Sequence, residues 1–531
     1  MLFLFLDTNE RKTDIYLVVD CNIIVDYKME VGDPMLKPEE FTLLDHQLPH
    51  FNRILSILFH KRGYIDTSTM GCGKTFATVM VGLILGLKLF IFCPKTVKVV
   101  WRKVCKLAGV EIVDLVTYQS ASSKLRKQPK HGYLHKTVRL RGKTKVEHYY
   151  FSPTEKYRRL LEIGVLLVVD EIQFTRNNTA QYRAIQTLVK TIAKGDTPSK
   201  FALLSATPFD KPPQAINLMK IIGVIRQEEL FIRSRPTGWL ELIAYCKESE
   251  PSTTESILSK KEGGSRRNEY NKCAFELYSK VVRKGFCSAM PLVIDAECDA
   301  KNGFYRLDPK DKETFDKAIL LFESAASQSK DPTKSRVKGD TNFAELTTAM
   351  VALETSKTSI FERVTRRYLE ENKESKVVVG VHYYVVLNEL ERRLAEYRPL
   401  ILCGEIDDED EREEIVDRFN EDDNSRLLLC ISKVGGVGIS LHDTIGDHPR
   451  IMLLSPDFNL IDTHQATGRV YRVGTKSKTT IRLVYVDAEP NERNIHRILV
   501  NKSETLRSIL QEHTRNDVML PIDYKEEYEC K

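Results

Sequence analysis

The chain has none of the features that would place it in a membrane or outside the cell. None of its apolar runs approaches the roughly 18 residues of a membrane-spanning helix. The opening apolar run, residues 1–6, is too short for a secretory signal and meets Asp7 at once. The 11 cysteines are scattered, without the paired spacing of a metal site, and are interpreted as reduced thiols. We therefore expect a soluble intracellular protein, cytoplasmic or nuclear.

The sequence also lacks a large charge excess and internal repeats. Its 80 basic and 74 acidic residues give a net charge of +6, which permits a polyanionic partner without requiring one. With 42% hydrophobic and 29% charged residues, it has the composition of a globular protein with real cores. Its 531 residues are enough for about three domains of roughly 100–200 residues each.

Short apolar strands alternate with helical patterns in two parts of the chain. The first part contains residues 89–93, 166–170 and 201–205, and the second contains residues 376–380, 426–431, 450–454 and 480–486. Continuous apolar strands of this kind are typical of parallel sheets covered on both faces. The fold class is therefore α/β, with two parallel-sheet lobes and a mainly helical insertion between them. The predicted domains are an N-terminal extension (1–35), lobe 1 (36–225), the insertion (226–350), lobe 2 (351–490), and a C-terminal helix and tail (491–531).

Residues 68–75, Ser-Thr-Met-Gly-Cys-Gly-Lys-Thr, predict a phosphate-binding loop. In such a loop, backbone amides point at the phosphates, a lysine neutralises charge and a hydroxyl coordinates Mg²⁺. Here Lys74 would be the charge and Thr75 the Mg²⁺ ligand. The predicted contacts with ATP are Met70, Gly71, Cys72, Gly73, Lys74 and Thr75. Ser68 stands where the commonest pattern has its first glycine, and a glycine-rich turn formed by chance is the alternative.

An acidic pair, Asp170 and Glu171, ends an apolar strand downstream of this loop. Adjacent carboxylates at the end of a buried strand are costly unless a cation or a base role uses them. We expect Asp170 to hold Mg²⁺ and Glu171 to polarise the attacking water. Without the upstream loop, a solvated strand end would be the better interpretation.

Three further side chains are predicted to serve the same site. Ser205 and Thr207, in the Ser-Ala-Thr-Pro turn after the next strand, could hydrogen-bond the two carboxylates and report the state of the γ-phosphate. Their alternative is a plain turn before Pro208. Gln47, upstream of the glycine-rich loop, fits a residue that reads the adenine edge.

Residues 465–472, Gln-Ala-Thr-Gly-Arg-Val-Tyr-Arg, would supply the second half of the site. Arg469 and Arg472 are spaced i, i+3, so on a helix they share one face with Gln465. Arginine fingers stabilise transition-state charge and contribute rate factors on the order of 10³–10⁵. Either arginine can be the principal finger, and Gln465 could orient water or the γ-phosphate. A basic surface helix is the alternative.

Together these segments resemble superfamily 2 helicases, and most closely the Swi/Snf-like translocase branch and the helicases of large DNA viruses. Residues 92–102 and 115–118 are similar to that branch's motif Ia and the motif after it, and residues 432–441 and 464–474 are similar to motifs V and VI. The resemblance covers about residues 40–510. It implies RecA-like lobes, ATP and Mg²⁺ as cofactors, and hydrolysis stimulated by nucleic acid. Gln173 and Thr475 depart from the pattern, and no accessory chromatin-reading module is present, so nucleosome remodelling is not implied.

The resemblance also implies where nucleic acid lies across both lobes. The implied backbone contacts are Lys95, Thr96, Tyr118, Lys433 and Gly435, and Gly438 of motif V is assigned to the ATP site. The implied partner is nucleic acid, with double-stranded DNA favoured over RNA. We expect a monomer without membrane contact that works with transcription machinery, in a viral factory, the nucleus or the virion.

A basic stretch between residues 115 and 146 contains no acidic residue and alternates around Gly142 as a β-hairpin would. A basic hairpin of this kind suits phosphate contacts that are blind to sequence. Arg139, Arg141 and Lys143 are its predicted contacts. A mobile solvated loop is the alternative.

The sequence therefore predicts an ATP-dependent motor that translocates on DNA in viral transcription or genome processing. A strand-separating DNA or RNA helicase shares the same ATP site and stays open as the alternative. A nucleic-acid-binding subunit with a vestigial site is disfavoured, because lysine, carboxylates and arginines are all present together.

Overall fold

The computed structural model describes residues 3–9, 12–19, 23–28, 41–123, 127–141, 146–227, 230, 236–260, 266–290, 294–329, 341–406, 409–432, 439–487, 489–510 and 519–529. The N-terminal residues among them form an antiparallel sheet of β1 (Phe3–Asn9), β2 (Lys12–Val19) and β3 (Ile23–Lys28), paired in that order. Within the described part of the chain, no helix combines the length and the apolar character needed to cross a bilayer.

The first lobe alternates strands with helices as predicted. Its elements are α1 (Leu48–His60), β4 (Gly63–Asp66), α2 (Lys74–Ile84), β5 (Lys88–Phe92), α3 (Lys98–Leu107), β6 (Ile112–Val116), α4 (Tyr118–Ser122), β7 (Leu134–Arg141), β8 (Val146–Pro153), α5 (Glu155–Ile163), β9 (Val165–Asp170), α6 (Ala180–Lys194), β10 (Lys200–Leu204) and α7 (Pro212–Ile221). The strands β7 and β8 pair with each other as an antiparallel hairpin.

The segment between the lobes is mainly helical. It contains α8 (Thr237–Ser249), α9 (Pro251–Ser259), α10 (Arg266–Leu277) and α11 (Arg283–Phe286), followed by the strands β11 (Cys287–Ser288) and β12 (Cys298–Tyr305) and the helices α12 (Pro309–Ser329) and α13 (Thr341–Ser356). Each strand of this segment belongs to the sheet of one lobe. The strand β11 pairs with β4 of the first sheet, and β12 is part of the second sheet.

The second lobe consists of α14 (Thr358–Glu371), β13 (Lys376–Val381), α15 (Tyr384–Arg393), β14 (Leu400–Leu402), α16 (Glu409–Glu421), β15 (Leu427–Ile431), β16 (Arg450–Leu454), α17 (Leu460–Thr467) and β17 (Thr479–Val486). The helix α18 (Pro490–Leu510) follows. Residues predicted as a tail contribute β18 (Lys525–Tyr528), which pairs with β12.

Both lobes have parallel sheets, which confirms the predicted fold class. The strand order is β11-β4-β10-β9-β5-β6 in the first sheet and β14-β15-β13-β16-β17-β12-β18 in the second. Side chains of a strand alternate between two cores: Phe90 packs in one apolar cluster, and Leu89 and Ile91 pack in another. Helices on both faces cover the sheets, so strands such as β9 are buried throughout.

The parallel arrangement decides where the chemistry lies. The carboxyl ends of β4, β9 and β10 all lie at the same edge of the first sheet, because the three strands are paired in parallel. The glycine-rich loop, the acidic pair and the Ser-Ala-Thr-Pro turn each follow one of these strands. The three motifs are therefore neighbours in space.

Candidate nucleotide site at the junction of the lobes

The glycine-rich loop connects β4 to the N-terminus of α2. Gly71 has φ +83° and Gly73 has φ +88°, both in the left-handed region that glycine adopts without strain. Lys74 is the first residue of α2, and its Nζ donates hydrogen bonds of 3.0 Å to the carbonyl oxygens of Ser68 and Thr69. The lysine charge is thus held inside the loop at a helix N-terminus, where phosphate groups bind favourably.

Gln47 lies directly against this loop. Its Nε2 donates to the carbonyl oxygen of Cys72 at 3.1 Å, and a Cβ added to Gly73 would lie 2.2 Å from the same nitrogen. Phe76, on the first turn of α2, stacks on Phe41 with ring centroids 5.9 Å apart. The amide and the half-exposed ring both border Gly73, which is a suitable arrangement for an adenine edge and face.

A buried network fixes the strand that leads into the loop. His50 Nε2 lies 2.9 Å from Asp66 Oδ2, and His50 Nδ1 lies 2.8 Å from the Ser288 hydroxyl. The amide of Ser68 also donates to Asp66, at 2.8 Å. Burial by itself raises the pKa of Asp66, but His50, Lys74 and Ser68 outweigh it and lower that pKa below its ordinary value. The network ties α1 and β11 to the start of the loop.

Asp170 ends β9 and is 8% exposed. Burial, followed by the negative charge of Glu171, raises its pKa to about 7, while the Trp101 hydrogen bond and Lys74 act in the opposite direction. The Trp101 indole donates from Nε1 to Asp170 Oδ2 at 2.9 Å. A buried carboxylate with a raised pKa is a site where a cation would be strongly favoured.

Glu171 receives hydrogen bonds from both lobes. Gln465 Nε2, on α17, donates to Glu171 Oε2 at 3.2 Å, and Gln173 donates to the same oxygen. Gln173, noted as a departure from the family pattern, therefore helps to orient the carboxylate that is predicted to polarise water. The backbone of Glu171 is left-handed, with φ +60°, which is uncommon for a residue other than glycine.

The second lobe meets the glycine-rich loop through the 465–472 segment. A Cβ added to Gly71 would lie 2.4 Å from Arg472 Nε, and one added to Gly468 would lie 2.3 Å from Met70 Cε. The Arg472 guanidinium also donates from Nη1 to the Ser440 hydroxyl at 2.7 Å. The predicted finger therefore lies on the glycine of the loop that it was expected to face.

Arg469 is buried beside this contact. Its Nη1 donates to the carbonyl oxygen of Ile439 at 3.0 Å. Burial, and then the charge of Arg472, lower the pKa of Arg469 to about 10, while Glu171 acts in the opposite direction. Burial also lowers the pKa of Arg472. The positive charges of these two neighbouring guanidiniums repel each other, and a bound polyanion would relieve that repulsion.

The residues present fit ATP and Mg²⁺. Thr75 is half-buried on the first turn of α2, and Asp170 is a buried oxygen ligand whose raised pKa favours a cation. Hydroxyl and carboxylate oxygens are the ligands that Mg²⁺ prefers. Lys74 and the two arginines supply positive charge around the loop. The donor set therefore matches a magnesium–triphosphate group.

Among the described residues, no hydrogen bond joins the side chains of the Ser-Ala-Thr-Pro turn to those of the acidic pair. The Ser205 hydroxyl accepts a hydrogen bond from the Thr207 amide at 2.9 Å, and the Ser205 amide donates to the Asp66 carbonyl. Among the described residues, Thr207 Oγ1 is buried and has no hydrogen-bond partner. The predicted hydrogen bonds from these hydroxyls to the carboxylates are absent from the described part of the site. No described residue accepts a hydrogen bond from the Thr207 hydroxyl.

Tyr118 occupies a different position from the one expected. Its side chain is 4% exposed, and its hydroxyl donates to the carbonyl oxygens of Asp170, at 2.6 Å, and Glu171, at 3.2 Å. A buried ring with its hydroxyl engaged leaves no surface for a phosphate. The predicted nucleic-acid contact of Tyr118 is therefore replaced by a supporting contact behind the acidic pair.

Other predicted nucleic-acid contacts divide into two groups. Lys95 is exposed at the carboxyl end of β5, and Thr96 Oγ1 is buried without a hydrogen-bond partner among the described residues. Lys433, Gly435, Lys143 and the side chain of Arg141 lie outside the described residues. Gly438, which was predicted for the ATP site, lies outside them as well.

The basic hairpin is packed onto the first lobe at its base. The Arg139 guanidinium lies 5.3 Å from the centre of the Tyr150 ring on the neighbouring strand. Arg183 of α6 lies 5.8 Å from the same ring and donates to the Tyr149 carbonyl at 3.0 Å. Lys136 is buried and donates to the carbonyls of Ser122 and Ser123, so it belongs to the scaffold. Arg139 is exposed on this supported base.

Sequence reasoning missed several residues that build the site. His50, Asp66 and Ser288 come from distant segments and have no motif in common. Trp101 was part of the segment compared with motif Ia but had no role assigned to it. A buried polar residue at the end of an apolar strand, such as Asp66, is the signal that could have prompted a search for its partner.

Part of the chain matches a known protein family, and its sequence is similar to several known proteins. Residues 359–474 match the helicase conserved C-terminal domain. A protein of Acanthamoeba polyphaga mimivirus, provisionally named ATP-dependent RNA helicase L364, is 24% identical over 470 residues, which is 88% of this chain and 83% of that protein. The DNA repair and recombination protein RAD54 of Saccharomyces cerevisiae is 34% identical over 124 residues, 23% of this chain and 13% of that protein.

Among solved structures, the SWI2/SNF2 ATPase core of Sulfolobus solfataricus in complex with double-stranded DNA has 15% identity and a TM-score of 0.29, covering 90% of this chain and 99% of that one. The sequence matches include both a viral protein named as a helicase and a DNA repair and recombination protein. Residues 359–474 thus carry a helicase conserved C-terminal domain, and the chain is similar over most of its length to the mimivirus protein and over a shorter part to RAD54.

Proposed function

We propose that this protein is a nucleic-acid-stimulated ATPase that translocates on DNA. The observation that carries the proposal is the contact between the two lobes at the glycine-rich loop, where Arg472 lies against Gly71 and Gln465 hydrogen-bonds Glu171. A site completed by both lobes hydrolyses ATP only when the lobes are closed. Cycles of closing and opening can then move the lobes along a strand.

Each residue has a defined task in this scheme. The loop amides and Lys74 bind the phosphates, and Gln47 with Phe76 binds the base. Thr75 and Asp170 hold Mg²⁺, which neutralises phosphate charge when it is bound. Glu171, oriented by Gln173 and Gln465, accepts the proton of the attacking water.

The two arginines act on the transition state of hydrolysis. Arg469 and Arg472 are held close together before the reaction, so they stabilise developing charge without having to be ordered during it. Removing such a finger lowers the rate by factors on the order of 10³–10⁵. Thr207, whose hydroxyl is buried and open, is placed to sense the change at the acidic pair.

The nucleic-acid path is proposed to run over the exposed Lys95, Thr96 and the basic hairpin. These contacts are to phosphates, because the basic side chains present charge without an arrangement that would read base edges. Double-stranded DNA is the favoured polymer. Similarity to a viral protein along most of the chain supports a role in viral transcription or genome processing.

The experiment that tests the function is ATP turnover measured with no polymer, with duplex DNA and with RNA, on the wild type and on Lys74→Ala. The expected result is turnover that rises on adding DNA and is lost in the variant. Unstimulated or absent turnover with intact DNA binding would instead identify a nucleic-acid-binding subunit with a vestigial site.

A strand-separating RNA helicase is the second candidate, since the mimivirus relative carries that provisional name. Both candidates use the same ATP site, so ATP turnover does not distinguish them. The assays must instead measure which nucleic-acid strands are displaced. A translocase displaces a third strand from a triplex without opening a fork, whereas a helicase opens the fork. Stronger stimulation by RNA together with fork opening would replace the proposed function.

A further inference from the structure

Two side chains from different elements hold the acidic pair from behind. Trp101 is fully buried on α3, and its indole donates to the Asp170 carboxylate at 2.9 Å. Tyr118, the first residue of α4, donates from its hydroxyl to the backbone carbonyls of Asp170 and Glu171. One bond fixes a predicted metal ligand, and the other fixes the turn that carries the predicted base.

The turn at Glu171 needs this support. Its φ of +60° places a residue with a Cβ in the left-handed region, where the Cβ crowds the backbone and the conformation is strained. Such conformations persist where the surroundings fix them, and they are frequent at functional sites. The Tyr118 hydroxyl bonds the carbonyls on both sides of the strained residue. Its position therefore affects the direction of the Glu171 side chain.

The turn that leads into α3, the helix that carries Trp101, is one of the places where nucleic acid is proposed to lie. Residues 95–97 form a short turn that leads directly into α3, and Lys95 is exposed there. Lys98, the first residue of α3, donates from Nζ to the Leu115 carbonyl at 2.8 Å, which ties α3 to the strand preceding α4. A polymer pressing on the start of α3 would thus act on Trp101 and Tyr118 together.

We propose that Trp101 and Tyr118 are positioning residues that couple nucleic-acid occupancy of the turn before α3 (residues 95–97) to the orientation of Asp170 and Glu171. The inference rests on the proposed function and deepens it, because it identifies how the polymer stimulates ATP hydrolysis. Neither residue touches nucleotide or polymer. Both act through hydrogen bonds to the acidic pair.

The first test compares Tyr118→Phe with Tyr157→Phe. Tyr157 is a similarly buried tyrosine of the same lobe whose hydroxyl donates to the Leu188 carbonyl of α6 rather than to the acidic pair, so it controls for the loss of one buried hydrogen bond. For Tyr118→Phe we expect the ratio of DNA-stimulated to unstimulated turnover to fall about tenfold, equivalent to about 1.4 kcal/mol. Duplex affinity should stay within about twofold, because the substitution leaves every proposed polymer-binding side chain in place.

Two outcomes would contradict the proposed coupling, because both indicate that Tyr118 has only a structural role. A purely structural role would lower stimulated and unstimulated rates by the same factor, or would give the two variants the same loss. Thermal unfolding of both variants shows whether each is folded at the assay temperature. An unchanged stimulation ratio in a folded Tyr118→Phe protein would show that Tyr118 does not couple nucleic-acid binding to ATP hydrolysis.

The second test reads Trp101 directly and needs no turnover. The chain has two tryptophans, so Trp239→Phe leaves Trp101 as the single reporter, and Trp101→Phe leaves Trp239 as the control. We expect Trp101 emission to change when Mg²⁺ and ADP are added and to change again when duplex DNA follows. The control protein should show neither change. Constant Trp101 emission on adding duplex would overturn the proposal.

The two tests separate failure of the inference from failure of the function. If the wild type shows no stimulation by DNA or RNA, the proposed function fails and the coupling fails with it. The change in Trp101 emission with Mg²⁺ and ADP would then still decide whether Trp101 positions Asp170. If DNA stimulates the wild type, while Tyr118→Phe keeps the same stimulation ratio and duplex leaves Trp101 emission unchanged, only the inference fails.

Discussion

Gln465 of the second lobe donates a hydrogen bond from Nε2 to Oε2 of Glu171 in the first lobe, over 3.2 Å. Gln173 donates to the same oxygen from within the first lobe. The carboxylate is thus oriented by one amide that is always present and by a second that arrives with the other lobe. Under the proposed function, this pairing makes full activity depend on closure of the lobes.

Replacing Gln465 with alanine should lower kcat for ATP by about tenfold and change KM by less than about twofold, because a hydrogen bond to a charged group is missing during the reaction. The measurement is steady-state ATP turnover at saturating DNA. Gln186→Ala is the matched control, since its amide donates to the Tyr182 hydroxyl on a helix away from the lobe junction. Equal losses in both variants would contradict the role of Gln465.

Gly71→Ala should displace the Arg472 finger. The new Cβ would lie 2.4 Å from Arg472 Nε, and the flexible guanidinium can move where the backbone cannot. We expect kcat/KM for ATP to fall by at least about tenfold. Gly86→Ala is the control, because Gly86 also has a positive φ, +61°, but has open space around its Cβ position.

Both glycine variants should lose similar stability, about 1 kcal/mol, since both place alanine in the left-handed region. Urea unfolding measures this loss. Activity should separate them, with Gly86→Ala close to the wild type. If Gly86→Ala loses as much activity as Gly71→Ala, strain rather than displacement of Arg472 is responsible.

Asp66 gives the fold a specific dependence on acid. Its pKa is lowered in the folded protein, so its charged form contributes stability that is fully present above its unfolded value of about 3.9 and is lost as the pH falls through the lower folded value. Asp66→Asn should therefore be less stable than the wild type near neutral pH and should lose less stability below about pH 4. Urea unfolding at several pH values from neutrality downward tests this, and parallel curves would contradict it.

The basic hairpin is predicted to bind one or more phosphates of the duplex. Charge reversal of Arg139, alone and together with Arg141 and Lys143, should weaken duplex binding. For every phosphate that is no longer neutralised, the slope of log K against log salt concentration should fall by about 0.9. Lys88→Glu is the control, because Lys88 begins β5, at the edge of the sheet opposite to the proposed polymer path. An unchanged slope would remove the hairpin from the nucleic-acid footprint.

Seven strands of the two sheets (β5, β9, β10, β13, β15, β16 and β17) were predictable because each is a short apolar run that ends in a turn. For the same reason the acidic pair could be assigned to the carboxyl end of a buried strand. The other strands of these sheets (β4, β6, β11, β12, β14 and β18) were not predicted. Four of them, β4, β11, β14 and β18, have only two to four residues and leave too little apolar pattern, and β12 is rich in polar residues. Tyr118 shows the limit of motif reasoning: its position in a motif gave no indication of which way the ring points.

By itself, the sequence determined the two parallel-sheet lobes and the motifs that form the two halves of the candidate nucleotide site, because backbone geometry and hydrophobic pattern are local properties. Only the tertiary structure decided which side chains hold those halves in place. His50 with Asp66, Trp101 with Asp170, and Tyr118 with the Glu171 turn are pairs from separate elements. Their partners depend on how helices pack over the sheet, and packing is a property of the whole chain that no single segment encodes.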